Sequence, residues 1–501
     1  MQTEEVKQKK LFNYLSQASQ KAYRDEYLIT NDVLCKSHTR ARMLELYLEE
    51  KVPDPISPVK KIIKIIKFYL KNVVWFLLYL LTGLAHFFSG QKCQVAKKTE
   101  LHALDVYFMV PEILKKNEFI DNYLSGLTQV LDKRNKDYFY IPRWVGSLSP
   151  FDFFKVFRII KKCKHPVLTE FQMLEWSDYG RVLLYLTAYP FHVRNFAQGL
   201  GCSEEDRILS FALWETLDSV TMRNYLRYLF GKKIACLRDR KVKCISWFEN
   251  QAINKTLYRG LRCVPGKIKI YGAQLFLKPS NLMNVIPDES EIPFGVLPDK
   301  ILINGRGHSL NLKHVSEEVG PSLRYAKLFQ TQADPSNGDV FLVLLPYWDY
   351  AIRIILSLIK EIKWPALVMI KFHPAVKKGD YSTQISSEFL VTDEDLYVLF
   401  KRARMAVGCS TGVLVEAMCL GIPVVDIVAS KEFAHNYMPE QGRGVLWDKA
   451  VNEEDINLLF RRFEEVLRVN PSLLRDTGLK MRDMLFCKPT EEQVVRAFDL
   501  A

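Results

Sequence analysis

No aspartate or glutamate occurs between residues 55 and 99, a stretch that carries eight lysines. No C-x-x-C pair occurs among the ten cysteines, and no Cys/His cluster has zinc-ligand spacing, which excludes zinc ribbons and thioredoxin-type motifs. Thiols scattered in this way fit a reduced, cytosolic chain. The opening residues MQTEEVKQKK lack the apolar stretch of a secretory signal. No uninterrupted run of about 20 apolar residues is present, the length a spanning helix requires. Charge is not balanced either: 70 Lys and Arg against 57 Asp and Glu leave +13. That surplus points to nucleic acid, an anionic membrane or a phosphorylated substrate. What is present is 48% hydrophobic and 25% charged residues in 501, enough to bury the cores of two or three domains and too much to remain disordered.

The acid-free stretch decides among those partners. Lys60, Lys64, Lys67 and Lys71 recur at intervals of 4, 3 and 4, so a helix gathers them into one stripe. Ile62, Ile65, Ile66, Tyr69, Leu70 and Val73 fall on the other side, and the run then becomes almost wholly apolar to Phe88, broken by Thr82, Gly83 and His86. This predicts an in-plane or re-entrant helix at a membrane surface, its lysines contributing ~1 kcal/mol each against anionic lipid. The competing arrangements are a core helix with a solvated lysine face and a true span. So contiguous an apolar run excludes a nucleic-acid arm.

Elsewhere the chain alternates strand-like and helix-like segments, which predicts parallel sheets covered by helices. Strands are expected at 27–30, 104–110, 137–141, 165–170, 243–248, 267–272 and 300–304. Helices are expected at 33–51 and 151–162 and through most of 172–229. A second alternating block begins near residue 339, with strands at 340–345, 366–372, 405–408 and 423–428 and helices at 350–362, 395–403 and 412–419. The polar segment 330–338, with Pro335 and Gly338, marks the join. The expected domains are 1–330, with a membrane-associating insertion at about 55–98, and 331–501.

Ligands of parallel sheets bind at the carboxyl ends of strands. Lys371-Phe-His-Pro374 closes one expected strand, where His373 can donate to a phosphate oxygen, more strongly if protonated, and Pro374 fixes the backbone. Gly408-Cys-Ser-Thr-Gly412 joins a strand to a helix; its small residues admit an anion, and Ser410 and Thr411 add hydroxyl donors or serve as a cap. Glu416, one turn beyond Gly412, can accept from ribose hydroxyls or be a surface charge. Glu249, at a strand end in Trp247-Phe-Glu-Asn-Gln251, is the first candidate for a catalytic carboxylate, and Glu170 the second; either can instead be a salt-bridged or capping residue. Asp393-Glu-Asp395 spells the D-x-D of a metal site, but Thr392 before it makes a helix cap the expected role. Asn304-Gly-Arg-Gly-His308 is either a plain glycine turn or a place where Arg306 or His308 meets an anion.

A strand-end His-Pro, then a Ser-Thr turn, then Glu416-Ala-Met-Cys-Leu-Gly-Ile-Pro-Val-Val425 resembles the nucleotide-binding domain of GT-B transferases that use CMP-sugars, including bacterial sialyltransferases and Kdo transferases. The resemblance covers about residues 340–428. Trp247-Phe-Glu-Asn-Gln251 and Tyr271-Gly-Ala-Gln-Leu-Phe276 add, less specifically, a likeness to surface-carbohydrate biosynthesis proteins. The resemblance implies a fold of two Rossmann-like domains facing a cleft. It also implies a cytidine-nucleotide donor whose phosphate is held by His373, Ser410 and Thr411, with no bound cofactor and no metal. The donor sugar would be acidic, of the nonulosonate or Kdo type, and the acceptor a glycan or lipid-linked glycan at the cytoplasmic face of the plasma membrane, with the protein peripheral or monotopic. The D/E-D/E-G motif that supplies the base in one sialyltransferase group is missing, so the base cannot be assigned by motif. Three alternatives stay open: a CDP-glycerol or polyol-phosphate transferase, a non-catalytic membrane assembly protein, and a UDP-sugar epimerase.

Overall fold

The protein is seen in a computed structural model that describes residues 4–36, 46–47, 51–91, 100–147, 149–164, 166–237, 241–266, 268–279, 282–428 and 435–501. Two six-stranded sheets organise it, and every strand pair within them is parallel. The first holds β1 (Glu100–Met109), β2 (Tyr138–Val145), β3 (Lys241–Trp247), β4 (Ile268–Gln274), β5 (Lys300–Ile303) and β6 (Ser316–Val319) in the order β2-β1-β3-β4-β5-β6. The second holds β7 (Val340–Leu345), β8 (Leu367–Phe372), β9 (Leu390–Val391), β10 (Ala403–Gly408), β11 (Val424–Ile427) and β12 (Trp447–Ala450) in the order β12-β11-β10-β7-β8-β9. That second order is the dinucleotide-fold order and the first is the flavodoxin-like one; two doubly wound units of this Rossmann-like kind make the GT-B architecture.

The strands read as they do because helices cover both faces. β7, Val-Phe-Leu-Val-Leu-Leu, is buried at all six positions, so it shows a continuous apolar run instead of alternation. Strand order reverses between β1 and β3 in the first sheet and between β7 and β10 in the second. Each reversal opens a crevice at the strands' carboxyl ends, which is where such sheets bind ligands.

Several expectations are corrected. Residues 28–30 form a buried 3₁₀ turn rather than a strand. The segment from Pro166 touches β2 only through a single bridge, Tyr140 to Val167, and Glu170 opens a short helix. The expected helix at 33–51 lies largely outside the described residues, as do His165 and Lys267 at the start of two expected strands. The end of the chain also does not stay with the second sheet. The helix Glu491–Ala497 and the residues after it return to the first, where Lys243 Nζ donates to the Asp499 carbonyl at 2.6 Å and Tyr271 Oη to its carboxylate at 2.7 Å. Val494, Phe498 and Leu500 are buried in the first sheet's core, so residues 331–501 are not one spatial unit.

The lysine-rich segment is one helix, Pro58–Ser89, among the described residues the only one long and apolar enough to cross a membrane. Ser57 caps it, with Pro58 in its first turn, and Gly90 ends it at φ +63°. It is docked along its whole length on the first domain. Lys64 pairs with Glu215 at 3.2 Å, Tyr69 donates to the Thr187 carbonyl, Phe68 stacks on Tyr189, and His86 bonds Gln91 at 2.6 Å. Polar Asn72, Thr82 and His86 are buried against the protein, whereas Ile62, Ile66, Leu70, Leu77, Leu81 and Phe88 are exposed.

Candidate functional site

Two of the expected motifs end at the reversal point of the second sheet. β8 and β10 flank β7 on either side, so His373 after β8 and Ser410 after β10 stand about two strand spacings, ~10 Å, apart across the end of β7. His373 Nδ1 accepts from the Ala375 backbone N–H at 3.2 Å, which places the ring proton on Nε2. Desolvation of the ring, together with Arg324, lowers its pKa, so in the free protein at neutral pH the ring is a neutral Nε2–H donor. Ser410 sits at φ +49°, a strained conformation for a residue with a Cβ. This turn swings the chain from β10 into the helix Val413–Cys419. Gly412 packs closely here: a Cβ would approach Leu277 Cδ1 to 3.2 Å, so Leu277 would have to shift. Pro374 is exposed beside His373.

Glu416 is buried and accepts from Tyr397 Oη at 2.5 Å. Burial drives its carboxyl up to about 7 against the pull of Tyr397 and Arg324. It is therefore an internal carboxyl on the crevice floor and not a surface charge. The folded protein holds a proton that the unfolded chain has lost between about pH 4.5 and 7, so stability falls as pH rises through that window. Glu416→Gln keeps an acceptor for Tyr397 and removes the penalty. We expect it to stabilise the fold at pH 8 by up to about 3 kcal/mol and to leave stability at pH 5 unchanged, read as the difference in melting temperature from the parent protein.

Arg324, which the sequence reading did not single out, connects the two halves. It follows β6 just before the second domain, and its exposed side chain has no hydrogen-bond or ion-pair partner among the described residues. It lies about 6.0 Å from the rings of Tyr123 and Tyr325, and its charge acts on His373, Glu416 and Glu249. Exposed Tyr347, 57% accessible, and Trp348 complete the crevice mouth. Tyr347 meets His373 with ring centroids 5.7 Å apart, and Trp348 meets His435 at 5.4 Å. No sequence motif marks Arg324; only the return of the chain between the sheets places it.

Glu249 stands at the end of β3, on the reversal point of the first sheet. Its carboxylate accepts from Trp247 Nε1 at 3.0 Å, Gln251 Nε2 at 2.7 Å and Tyr107 Oη at 3.2 Å. Asn250 beside it is at φ +54° and donates to the carbonyls of Asn284 and Ile286. A carboxylate offers about four lone-pair sites, so these three donors fix its orientation and leave one direction for another partner.

Glu170 does not join this cleft. It opens a short helix in a separate pocket beneath the Pro58–Ser89 helix, with Arg223 and Arg227, and burial raises its pKa. The D-x-D reading also fails. Asp395 caps the next helix through the Tyr397 N–H at 2.9 Å and pairs with Lys327, Asp393 pairs with Lys378, and no metal-ligand cluster occurs among the described residues. Asp395 itself, not Thr392, is the cap. The Asn304–His308 loop is a packing element. A Cβ at Gly305 would lie 2.5 Å from the Leu485 backbone, and His308 is buried with its pKa lowered to about 4, chiefly by burial.

No protein-family model and no curated protein sequence matches this chain. Solved structures do. UDP-GlcNAc 2-epimerase from Methanocaldococcus jannaschii is 14% identical with TM-score 0.43, covering 80% of this chain and 100% of its own. MurG of Acinetobacter baumannii is 10% identical with TM-score 0.42, covering 80% and 99%. The wall teichoic acid polymerase TagF is 11% identical with TM-score 0.38, covering 89% and 97%. The GT-B fold of this chain rests on its own two parallel sheets and their strand orders.

Proposed function

We propose that the protein is a glycosyltransferase that moves an acidic sugar from a CMP-sugar to a glycan or lipid-linked acceptor at a membrane surface. What supports the reading is the reversal point of the second sheet, where His373 and the Ser410-Thr411 turn follow the strands on either side of β7 and the charge of Arg324 acts on His373 and Glu416 and interacts with Glu249 of the first domain. In this reading His373 Nε2–H, the two hydroxyls and Arg324 hold the donor phosphate and stabilise its charge as it departs. Glu416 accepts from the ribose, and Tyr347 or Trp348 offers a stacking face for the base. Glu249 takes the proton of the acceptor hydroxyl as the new glycosidic bond forms at the anomeric carbon and the bond to the CMP oxygen breaks. Bound CMP carries away the electron pair, and the chemistry needs no metal or further cofactor.

The membrane face supports the acceptor half of the reading. An isolated amphipathic helix on a soluble protein turns its polar stripe to water. Here Lys64 and Lys71 pair with Glu215 and Asp218 along the edge of the docked face, and the isoleucine and leucine ridge faces out. At ~48 Å the helix outruns a ~30 Å bilayer core, and being docked on one domain from end to end it suits an in-plane position. A cytoplasmic leaflet, rich in anionic lipid, matches the remaining lysines.

The test is donor consumption by the purified protein with a bacterial membrane lipid extract as acceptor source. CMP release from CMP-N-acetylneuraminate or CMP-Kdo, with none from CDP-glycerol, is the expected result. Release from CDP-glycerol alone makes the protein a polyol-phosphate transferase, and consumption of none of these contradicts the reading.

A further inference from the structure

The pocket that took Glu170 away from the cleft has a chemistry of its own. Its cavity, about 100 Å³ in volume and open at its mouth, lies between the Pro58–Ser89 helix and the carboxyl end of β2. Trp75, Leu78 and Tyr79 of the apolar helix roof it, and Arg143, Arg223 and Arg227 stand in its walls with Glu170. Asp105 pairs with Arg143 and Arg227 from beneath. Three guanidinium groups against two carboxylates leave the enclosure with surplus positive charge, and burial further favours the uncharged form of Glu170. Asp32 acts on Arg223 from outside the pocket wall.

Donors are also in surplus. Tyr79 Oη, Arg143 Nη1 and Arg227 Nε are buried without a hydrogen-bond partner. Buried donors left unsatisfied are costly, and three around one cavity indicate a missing acceptor. Arg223 donates to the Trp144 carbonyl at 2.6 Å and lies 5.7 Å from the Trp75 ring, so its guanidinium is held at the roof. The pocket adjoins the proposed base. Arg143 lies 5.4 Å from the Tyr107 ring, and Tyr107 Oη donates to Glu249; Ile253 of the lining begins two residues after Gln251, which also donates to Glu249.

We infer that this pocket binds the phosphate of a hydrocarbon-linked phosphate ester, with the chain running out under the apolar helix and the acceptor end pointing towards Glu249. The inference rests on the membrane-acceptor reading and names the chemistry of the acceptor lipid. The arginines and the tyrosine hydroxyl supply the anion's contacts, and the exposed ridge of the same helix keeps the hydrocarbon in lipid.

The test uses the full-length protein in solution without vesicles, reading quenching of Trp75 and Trp144 during titration. The probes are farnesyl phosphate, dihexanoyl phosphatidic acid, inorganic phosphate and farnesol. Saturable binding of farnesyl phosphate at least ten-fold tighter than inorganic phosphate and farnesol is expected, with equal binding of phosphatidic acid extending the site to lipid phosphates in general. Arg223→Gln should weaken farnesyl phosphate at least ten-fold. Tyr79→Phe, which removes only a hydroxyl without a protein partner, should weaken it three-fold or more with an unchanged circular dichroism spectrum, and so decides the matter if the arginine variant misfolds. Inorganic phosphate binding as tightly overturns the proposal in favour of a free-anion site. Farnesol binding as tightly, no saturable quenching, or unchanged binding by folded Tyr79→Phe also overturns it. Flotation with phosphatidylglycerol vesicles, run separately, reports on the membrane face alone, so loss of either result identifies which reading failed.

Discussion

Glu249→Gln should lower the transfer rate by about 10²- to 10⁴-fold and leave donor affinity unchanged, because it removes the proton acceptor and nothing that touches the nucleotide. The substitution suits the site. A glutamine oxygen still accepts from Trp247 Nε1 and its amide can donate to Tyr107 Oη, so two of the three contacts at 2.7–3.2 Å survive and only the one from Gln251 is lost. Single-turnover kinetics separates the two quantities: the chemical step slows while the donor dissociation constant stays fixed. A rate within three-fold of the parent would remove Glu249 from the mechanism. It would not rescue Glu170, which lies in the other pocket.

The largest stability effect is expected at Asp105, in the middle of β1. It is fully buried, pairs with both Arg143 and Arg227, and accepts from Ser246 Oγ at 2.7 Å; Ser246 in turn accepts from Tyr258 Oη at 2.8 Å. Burial pushes the Asp105 carboxyl up, but the two arginines outweigh it and hold it below its ordinary value. Asp105→Asn leaves two guanidinium groups facing a neutral side chain, a change of about 3–5 kcal/mol for breaking a buried charge pair. Urea unfolding at pH 7 measures it. The sign with pH follows from the lowered pKa. The stabilisation is present above the ordinary aspartate range and is lost as pH falls through the folded-state value, so parent and variant should converge in acid. Equal midpoints at pH 7 would show that the pair is not a structural support. Because the same arginines wall the second pocket, the strut also positions that pocket's charge.

The second sheet was legible because fully buried parallel strands are continuous apolar runs, and its two motifs fall where strands stop. β7, β8, β10 and β11 were all anticipated within a few residues. Short edge strands escaped: β6 (Ser316–Val319) and β9 (Leu390–Val391) are too short and polar to carry a period. The segment before Glu170 read as a strand because Pro-Val-Leu-Thr has the composition of one, yet it pairs at one bridge only. The Pro58–Ser89 helix was legible as amphipathic, but its orientation was not, since the sequence does not show that Glu215 and Asp218 would pair with Lys64 and Lys71. Of the residues proposed for the site, His373 and the Ser410-Thr411 turn are singled out by spacing, and Glu249 by its strand end. Arg324 could not: it has no motif, and its meaning comes from two sheets closing around one point. Nor could the fate of Glu170, which depends on a helix some 80 residues earlier folding over it.

Equilibrium binding of CMP, CDP, UDP and GDP to the purified parent protein and to His373→Ala tests the central claim most directly. A hydrogen bond to a charged phosphate contributes about 1.5–3 kcal/mol. Cytidine nucleotides should therefore bind the parent protein in preference to the others and bind the variant about 10- to 100-fold more weakly, at unchanged melting temperature. Equal binding of all four nucleotides, or a variant that binds CMP as tightly as the parent, would contradict a cytidine phosphate held at the end of β7.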